Sequence, residues 1–275
     1  MAIKTIMAVA DGSQTTSPTL STAVAIAKKL GAHLDVLHVK PDPATMVPVV
    51  GEAMSGALVE QMIESLSQSA EKRAEQARHG FAKGCEGQGL SVAFSIATGA
   101  APDIVGIRGR LADLIVTSRP NGDDIPTQTA VLDAALFDTG RPVVIAPAAA
   151  PNSVGEHVVI AWNGSLEATR AVNGAVPLLR LARSVTILCI GDDDRRLPAE
   201  SLRDYLAKHG ASATIDRQAS EPGPTGKQLI ERSLKAGADL LVMGAYGHSR
   251  VRELILGGAT HHVIAHGGIA VLMGH

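Results

Sequence analysis

The sequence predicts an α/β protein of two tandem doubly wound, Rossmann-like domains, each a five-stranded parallel sheet with helices on both faces. Three observations lead there: the chain states one pattern of strands and helical stretches twice, its apolar residues are almost all aliphatic, and glycines gather where a late strand ends. Of 275 residues, only Trp162, Tyr205, Tyr246, Phe81, Phe94 and Phe137 are aromatic. Val, Ile, Leu and Ala must therefore build the interior, which suits a parallel sheet covered by helices.

The elements follow in order. The first strand of each half ends in a short polar turn, Asp11-Gly12-Ser13 after Ile6-Met7-Ala8-Val9, and Asn163-Gly164-Ser165 after Val159-Ile160-Ala161. Ala-rich helical stretches follow over residues 19–30 and 167–181, then second strands over 34–39 and 184–190. Later, Leu111-Ala112-Asp113-Leu114-Ile115-Val116 matches Gly237-Ala238-Asp239-Leu240-Leu241-Val242, and final strands close the halves at 142–146 and 269–273. Strands alternating with helices indicate βαβ units. The seam at 146–155 is rich in Ala, Pro and Gly, a linker composition that places the domains at residues 1–150 and 151–275. The first half is longer because a Pro/Met/Val-rich stretch at 41–56 and a helical stretch at 57–82 follow its second strand. Near its end, Glu71, Lys72, Arg73, Glu75 and Arg78 read as a solvated helix face.

Composition excludes several functions. The formal net charge is −2 and no basic run stands out, whereas a nucleic-acid binder would show basic clusters with stacking aromatics. Cys85 and Cys189 stand alone, which fits a reducing cytoplasm. No apolar run reaches the roughly 18 residues of a spanning helix, and the N-terminus reads as a strand rather than a signal peptide. A soluble cytoplasmic protein, with neither nucleic acid nor membrane as partner, is expected.

The glycines carry the functional signal. Gly244-Ala245-Tyr246-Gly247 follows the apolar strand Leu240-Leu241-Val242-Met243, and Gly257-Gly258 comes after nine intervening residues. Glycines at a strand's carboxyl end let backbone approach a phosphate, and the next helix aims free N–H groups there. With a strand ending in Asp-Gly-Ser and a repeated βαβ domain, this pattern resembles the universal stress protein family, tandem members of which carry two such domains. Arg250, Glu253, Leu254, Ile255 and Leu256, leading into the second glycine pair, also look like that family. The family's nucleotide-binding branch has Gly-x-x-Gly, nine residues, then Gly and Ser or Thr; here the last position is Gly258.

The resemblance implies an adenine nucleotide alpha hydrolase-like sheet that binds ATP, with or without magnesium, in the second half. Ligands of such sheets lie outside the strands' carboxyl ends where strand order reverses. Ala161, Trp162 and Asn163 then stand beside adenosine, Asn163 replacing the family's acidic residue; backbone at Ile190 reads the adenine edge. Met243 and Gly244 pack on adenosine, while Gly247, Gly257, Gly258 and Ala259 face the phosphates. Thr260 offers a hydroxyl in place of the one that Gly258 lacks, a contact worth roughly 1.5–3 kcal/mol to a charged group. The first half keeps Asp11, but Thr117-Ser118-Arg119-Pro120-Asn121-Gly122-Asp123-Asp124 replaces the glycines, and two aspartates would repel a phosphate chain. That half reads as a degenerate copy binding no triphosphate. The last strands of the two halves are expected to pair as an intramolecular pseudo-dimer; a homodimer of the whole chain stays open.

Other constellations have plainer readings. Gly223-Pro224-Thr225-Gly226-Lys227 lacks the phosphate loop's upstream Gly and following Ser/Thr, having Glu221 and Gln228 there, and reads as a helix start. His262 and His266 share a helical face, but no Cys or carboxylate joins them at ligand spacing. His261 points elsewhere, and His248 is placed to approach a phosphate tail. Ser13 and Ser165 read as helix N-caps rather than nucleophiles. Asp192, Asp193 and Asp194 read as a solvated acidic loop. No catalytic set is visible, so the reading is an ATP-binding stress-response regulator. A nucleotide-free scaffold or partner-binding module and a slow ATPase are the alternatives.

Overall fold

A computed structural model of the chain describes residues 2–42, 56–191, 197–247 and 258–275. The first half contains strands β1 (Thr5–Val9), β2 (His33–Lys40), β3 (Val92–Thr98), β4 (Leu114–Thr117) and β5 (Val143–Ile145). Its helices are α1 (Thr16–Leu30), α2 (Gly56–Gly84), α3 (Ala101–Arg108) and α4 (Ile125–Asp138). The second half contains β6 (His157–Ala161), β7 (Ser184–Ile190), β8 (Thr214–Gln218), β9 (Leu240–Gly244) and β10 (Ala270–Gly274). Between them run α5 (Leu166–Leu179), α6 (Ala199–Lys208), α7 (Thr225–Lys235) and α8 (Ala259–His266). The two-fold repeat read from the sequence is thus present element by element.

All ten strands join one sheet in the order β3-β2-β1-β4-β5-β10-β9-β6-β7-β8. Neighbours within each half are parallel; β5 and β10 alone pair antiparallel, with Val143 opposite Met273, Val144 opposite Leu272 and Ile145 opposite Val271. All six residues are fully buried. The expected pairing of the last strands is therefore the seam of the molecule, and it makes two five-stranded sheets continuous.

Successive strand residues face opposite layers. Ile6, Leu34, Leu114, Ile160 and Leu240 pack beneath α1, α5 and α6 on one face. Met7, Leu37, Ile115, Val159 and Leu241 pack beneath α3, α4 and α7 on the other. Helix α2 joins the first layer through Ala70, Ala74, Ala77 and Phe81, a helical spacing of four, three and four. Small alanines let α2 lie close against α1 and β2.

One pair of residues shows how the repeat holds itself together. Asp113, just before β4, accepts from Lys4 N at 2.8 Å and Thr5 N at 3.0 Å, tying down the start of β1. Asp239, just before β9, accepts from Gly155 N, Glu156 N and His157 N, each at 3.0 Å, and from Ser153 Oγ at 2.6 Å. Each aspartate satisfies backbone donors that the strand pairing leaves over. The Pro/Ala linker is therefore anchored at its far end, where Val154 is buried.

Candidate functional site

The strand order reverses between β1 and β4, and again between β6 and β9, so each half opens a cleft at its strands' carboxyl ends. In the second half, Ala161 ends β6, Ile190 ends β7, and Met243 and Gly244 end β9. Trp162 is 6% exposed; its backbone N–H donates to Leu188 O at 2.9 Å and its indole to Leu197 O at 3.0 Å. Asn163 is exposed and its Oδ1 accepts from Ser165 N at 3.1 Å. Ser165 Oγ accepts from Ala168 N at 3.2 Å and caps α5, as its position suggested.

The glycine turn is packed onto that cap. A Cβ on Gly244 would stand 2.5 Å from Ala168 N and 2.7 Å from Glu167 C, so only glycine lets the end of β9 seat against the first turn of α5. A Cβ on Gly247 would meet Glu167 Oε2 at 3.2 Å, which places that carboxylate beside the turn. Tyr246 takes a left-handed φ of +53°, uncommon for a bulky residue. What holds it is Thr260: the Tyr246 N–H donates to Thr260 Oγ1 at 3.2 Å, and Thr260 is 3% exposed. The hydroxyl expected to reach a phosphate also has this structural task.

Helix α8 starts at Ala259 with Gly258 at its N-cap, and its first backbone bond is His262 N to Gly258 O at 3.2 Å. The N–H groups of Ala259, Thr260 and His261 therefore have no partner within the helix. Gly226 fixes the approach, since a Cβ there would lie 2.6 Å from Ala259 O. Pro224 sits at the N-cap of α7, as expected of a helix start. The rings of His262 and His266 stack with centroids 4.4 Å apart, and no group of three metal-ligating side chains occurs among the described residues. Gly257, His248, Arg250 and residues 253–256 lie outside the described residues, as do Asp192, Asp193 and Asp194.

The first-half cleft is built differently. A cavity of about 420 Å³ opens there, lined by the ends of β1 and β2 and by α2, α3 and α4. At one wall, Asp11 accepts from Ser13 N at 3.0 Å, Thr16 Oγ1 at 2.9 Å and Gln128 Nε2 at 2.8 Å. Burial works to raise its pKa, but these hydrogen bonds outweigh it and hold the carboxyl below the ordinary aspartate value. Ser13 does not cap α1 as the sequence suggested. Its hydroxyl lies 2.9 Å from both oxygens of Asp11, because a full carboxylate draws it away from the helix.

Two further expectations are corrected here. Arg73 is not simply on a solvated face: it donates to Asp124 Oδ2 at 2.5 Å and lines the cavity. Asp124 is correspondingly paired rather than a bare repulsive charge. The remaining charged residues do face outward, with Glu71 accepting from Lys40 at 2.9 Å and Arg78 lying 5.3 Å over the Phe94 ring.

Sequence reasoning also missed Arg119 and His38. Arg119 stands where the first half lacks its glycines, is 5% exposed, and donates across the seam to the carbonyls of Val263, Ile264 and Ile269. Burial pushes its pKa down to about 10, which leaves it charged at neutral pH. His38 is 1% exposed within β2, its Nδ1 2.7 Å from Ala10 O. The available signal was a lone imidazole inside the apolar run Val36-Leu37-His38-Val39.

Comparison with known proteins bears on this arrangement. A universal stress protein from Archaeoglobus fulgidus superposes with a TM-score of 0.67 at 17% identity, over 98% of this chain and 94% of that one. A putative universal stress protein from Pseudomonas aeruginosa UCBPP-PA14 gives 0.59 at 18% identity, over 98% and 92%. A functionally unknown protein from Pseudomonas aeruginosa PAO1 gives 0.57 at 17%, with the same coverage. At such identities the likeness is one of fold. No curated protein matches the chain. The sequence profile of the universal stress protein family, however, matches residues 2–117 and 155–275, so both halves, and with them the chain, belong to the universal stress protein family.

Proposed function

We propose that the second half binds ATP as part of a stress-response regulator, with one nucleotide per chain. The observation that carries this reading is a tie at one strand end: between Gly244 and Gly247, the Tyr246 N–H donates to Thr260 in the first turn of α8, whose leading N–H groups have no partner within the helix. Backbone N–H groups at a helix N-terminus favour an anion, and the positive end of the helix dipole adds to them. Asn163 and the ends of β6 and β7 supply the wall for adenosine. Asn163 brings a hydrogen-bonding amide but no charge.

Glu167 beside Gly247 bears on magnesium. A carboxylate next to a polyphosphate repels it unless a cation stands between them, and one carboxylate with phosphate oxygens suffices for Mg²⁺. Nucleotide affinity should therefore rise with magnesium. Titration calorimetry on the whole chain tests the reading: one ATP bound per chain is expected, and Gly247→Val should abolish it while leaving the fold intact. Absence of ATP binding to the wild-type chain at millimolar nucleotide would overturn it. Phosphate release above buffer would move the reading towards an enzyme.

A further inference from the structure

The cavity of the first half has its own chemistry, and it is not that of a phosphate site. Its body is apolar, formed by Val9, Val39, Leu66, Ala101 and Val131 among others. The lining charges are Asp11, Asp42, Arg73 and Asp124, an excess of carboxylates that disfavours an anionic guest. Asp11 is saturated by donors, and Arg73 and Asp124 satisfy each other. At about 420 Å³ the space lies within the usual range of small-molecule sites.

Among the described residues, one buried polar atom of this wall is unsatisfied. His38 Nε2 has no hydrogen-bond partner among them, although the side chain lines the cavity and is 99% removed from solvent. Its state can be deduced. Nδ1 lies 2.7 Å from the carbonyl of Ala10, and a carbonyl only accepts, so Nδ1 must carry the proton. Burial lowers the pKa of His38, more than the Ala10 contact and Asp11 raise it, with Arg73 lowering it further and Glu71 opposing. The ring is then neutral, and Nε2, on a side chain that lines the cavity, keeps a bare lone pair. A buried unsatisfied acceptor is costly, and what completes it must be a donor.

We infer that the first-half cavity is a binding site for an uncharged small molecule with an apolar body and one hydroxyl or N–H group, which donates to His38 Nε2. This ligand class is distinct from the polyphosphate proposed for the second half, and the two sites do not depend on each other. The first half is then a copy refitted for another ligand rather than an empty one.

The test uses fluorescence titration of the whole chain with 2-naphthol, 2-methoxynaphthalene and 2-naphthoate, which share a body and differ in polar group. Saturable binding of 2-naphthol is expected, about threefold to tenfold tighter than the methoxy compound, as one net hydrogen bond implies. Naphthoate should bind more weakly than naphthol. His38→Phe should erase the preference for naphthol over the methoxy compound, and Ser69→Trp, at the exposed mouth on α2, should block both. Long-range ¹H–¹⁵N spectra, with His38 assigned from the variant, should show the Nδ1–H tautomer at neutral pH whatever the variant does to folding. A charged or Nε2–H ring, no saturable binding of naphthol, or an unchanged preference in His38→Phe would each overturn the proposal.

Discussion

Arg119, just beyond β4 in the first half, donates to the carbonyl of Val263 in α8 at 2.7 Å, a bond spanning 144 residues of sequence. Its other contacts, to Ile264 and Ile269, make one guanidinium the cap for the last turn of α8. A cation at a helix C-terminus satisfies orphan carbonyls and complements the dipole. The helix it braces is the one whose N-terminus faces the proposed phosphate site. The first-half loop that stands where the second half has its glycines thus braces a helix of the other half.

Arg119→Met should destabilise the chain by about 2–4 kcal/mol, since buried carbonyls lose a charged donor. Urea unfolding followed by circular dichroism reads this. ATP affinity should fall as well, because α8 is no longer held from behind. Retention of full stability would mean that the carbonyls find other partners.

Asp11→Asn should cost about 1–3 kcal/mol at neutral pH, because an amide cannot accept from all the donors that converge on the carboxylate. The folded-state pKa of Asp11 is depressed, so its contribution is present above the ordinary aspartate pKa. It is lost as pH falls through the lowered folded value. The gap between wild type and variant in urea midpoints should therefore close as the medium becomes strongly acidic; a gap independent of pH would contradict this.

Gly244→Ala and Gly247→Ala should behave differently. The first sets a methyl against backbone atoms of α5 at 2.5 and 2.7 Å, and overpacking of this kind costs about 1–3 kcal/mol or more. Among the described residues the second meets only a flexible Glu167 side chain at 3.2 Å, so thermal stability should change little. Differential scanning calorimetry of the two variants distinguishes them, and equal losses would refute the packing argument.

Thr260→Val keeps the shape of the side chain but removes the acceptor for Tyr246 N–H. A loss of about 1–2 kcal/mol is expected, with Thr260→Ser close to wild type. Faster amide exchange at Tyr246 in the valine variant is the accompanying signature, and unaltered protection would show that the turn needs no such tie.

Much of this molecule was legible because a repeat doubles every signal. The paired Ala112-Asp113 and Ala238-Asp239, the polar turns and the terminal strands each appear twice, and one misread element is corrected by its twin. What local pattern could not give was the partner across space. Arg119 looks unremarkable in sequence, and His38 shows only as a lone imidazole in an apolar run, since their roles depend on α8 and on Ala10, which no periodicity links to them. Arg73 carries the same local appearance as its charged neighbours and differs only in facing Asp124. Ser13 and Ser165 sit in matching turns yet do different things. The amide of Asn163 offers one acceptor and leaves Ser165 free to cap α5, whereas the carboxylate of Asp11 claims Ser13.

The β5–β10 pairing also bears on how the halves could come to differ. An inner strand edge of this kind needs a partner, and a free one invites association with other chains. Here the partner is tethered, so the effective concentration of each half for the other is high and their ratio is fixed at one to one. Either half can then lose or exchange its ligand chemistry without leaving the other unpaired. Covalent fusion frees one copy to drift while it still serves as the wall against which its sibling is completed.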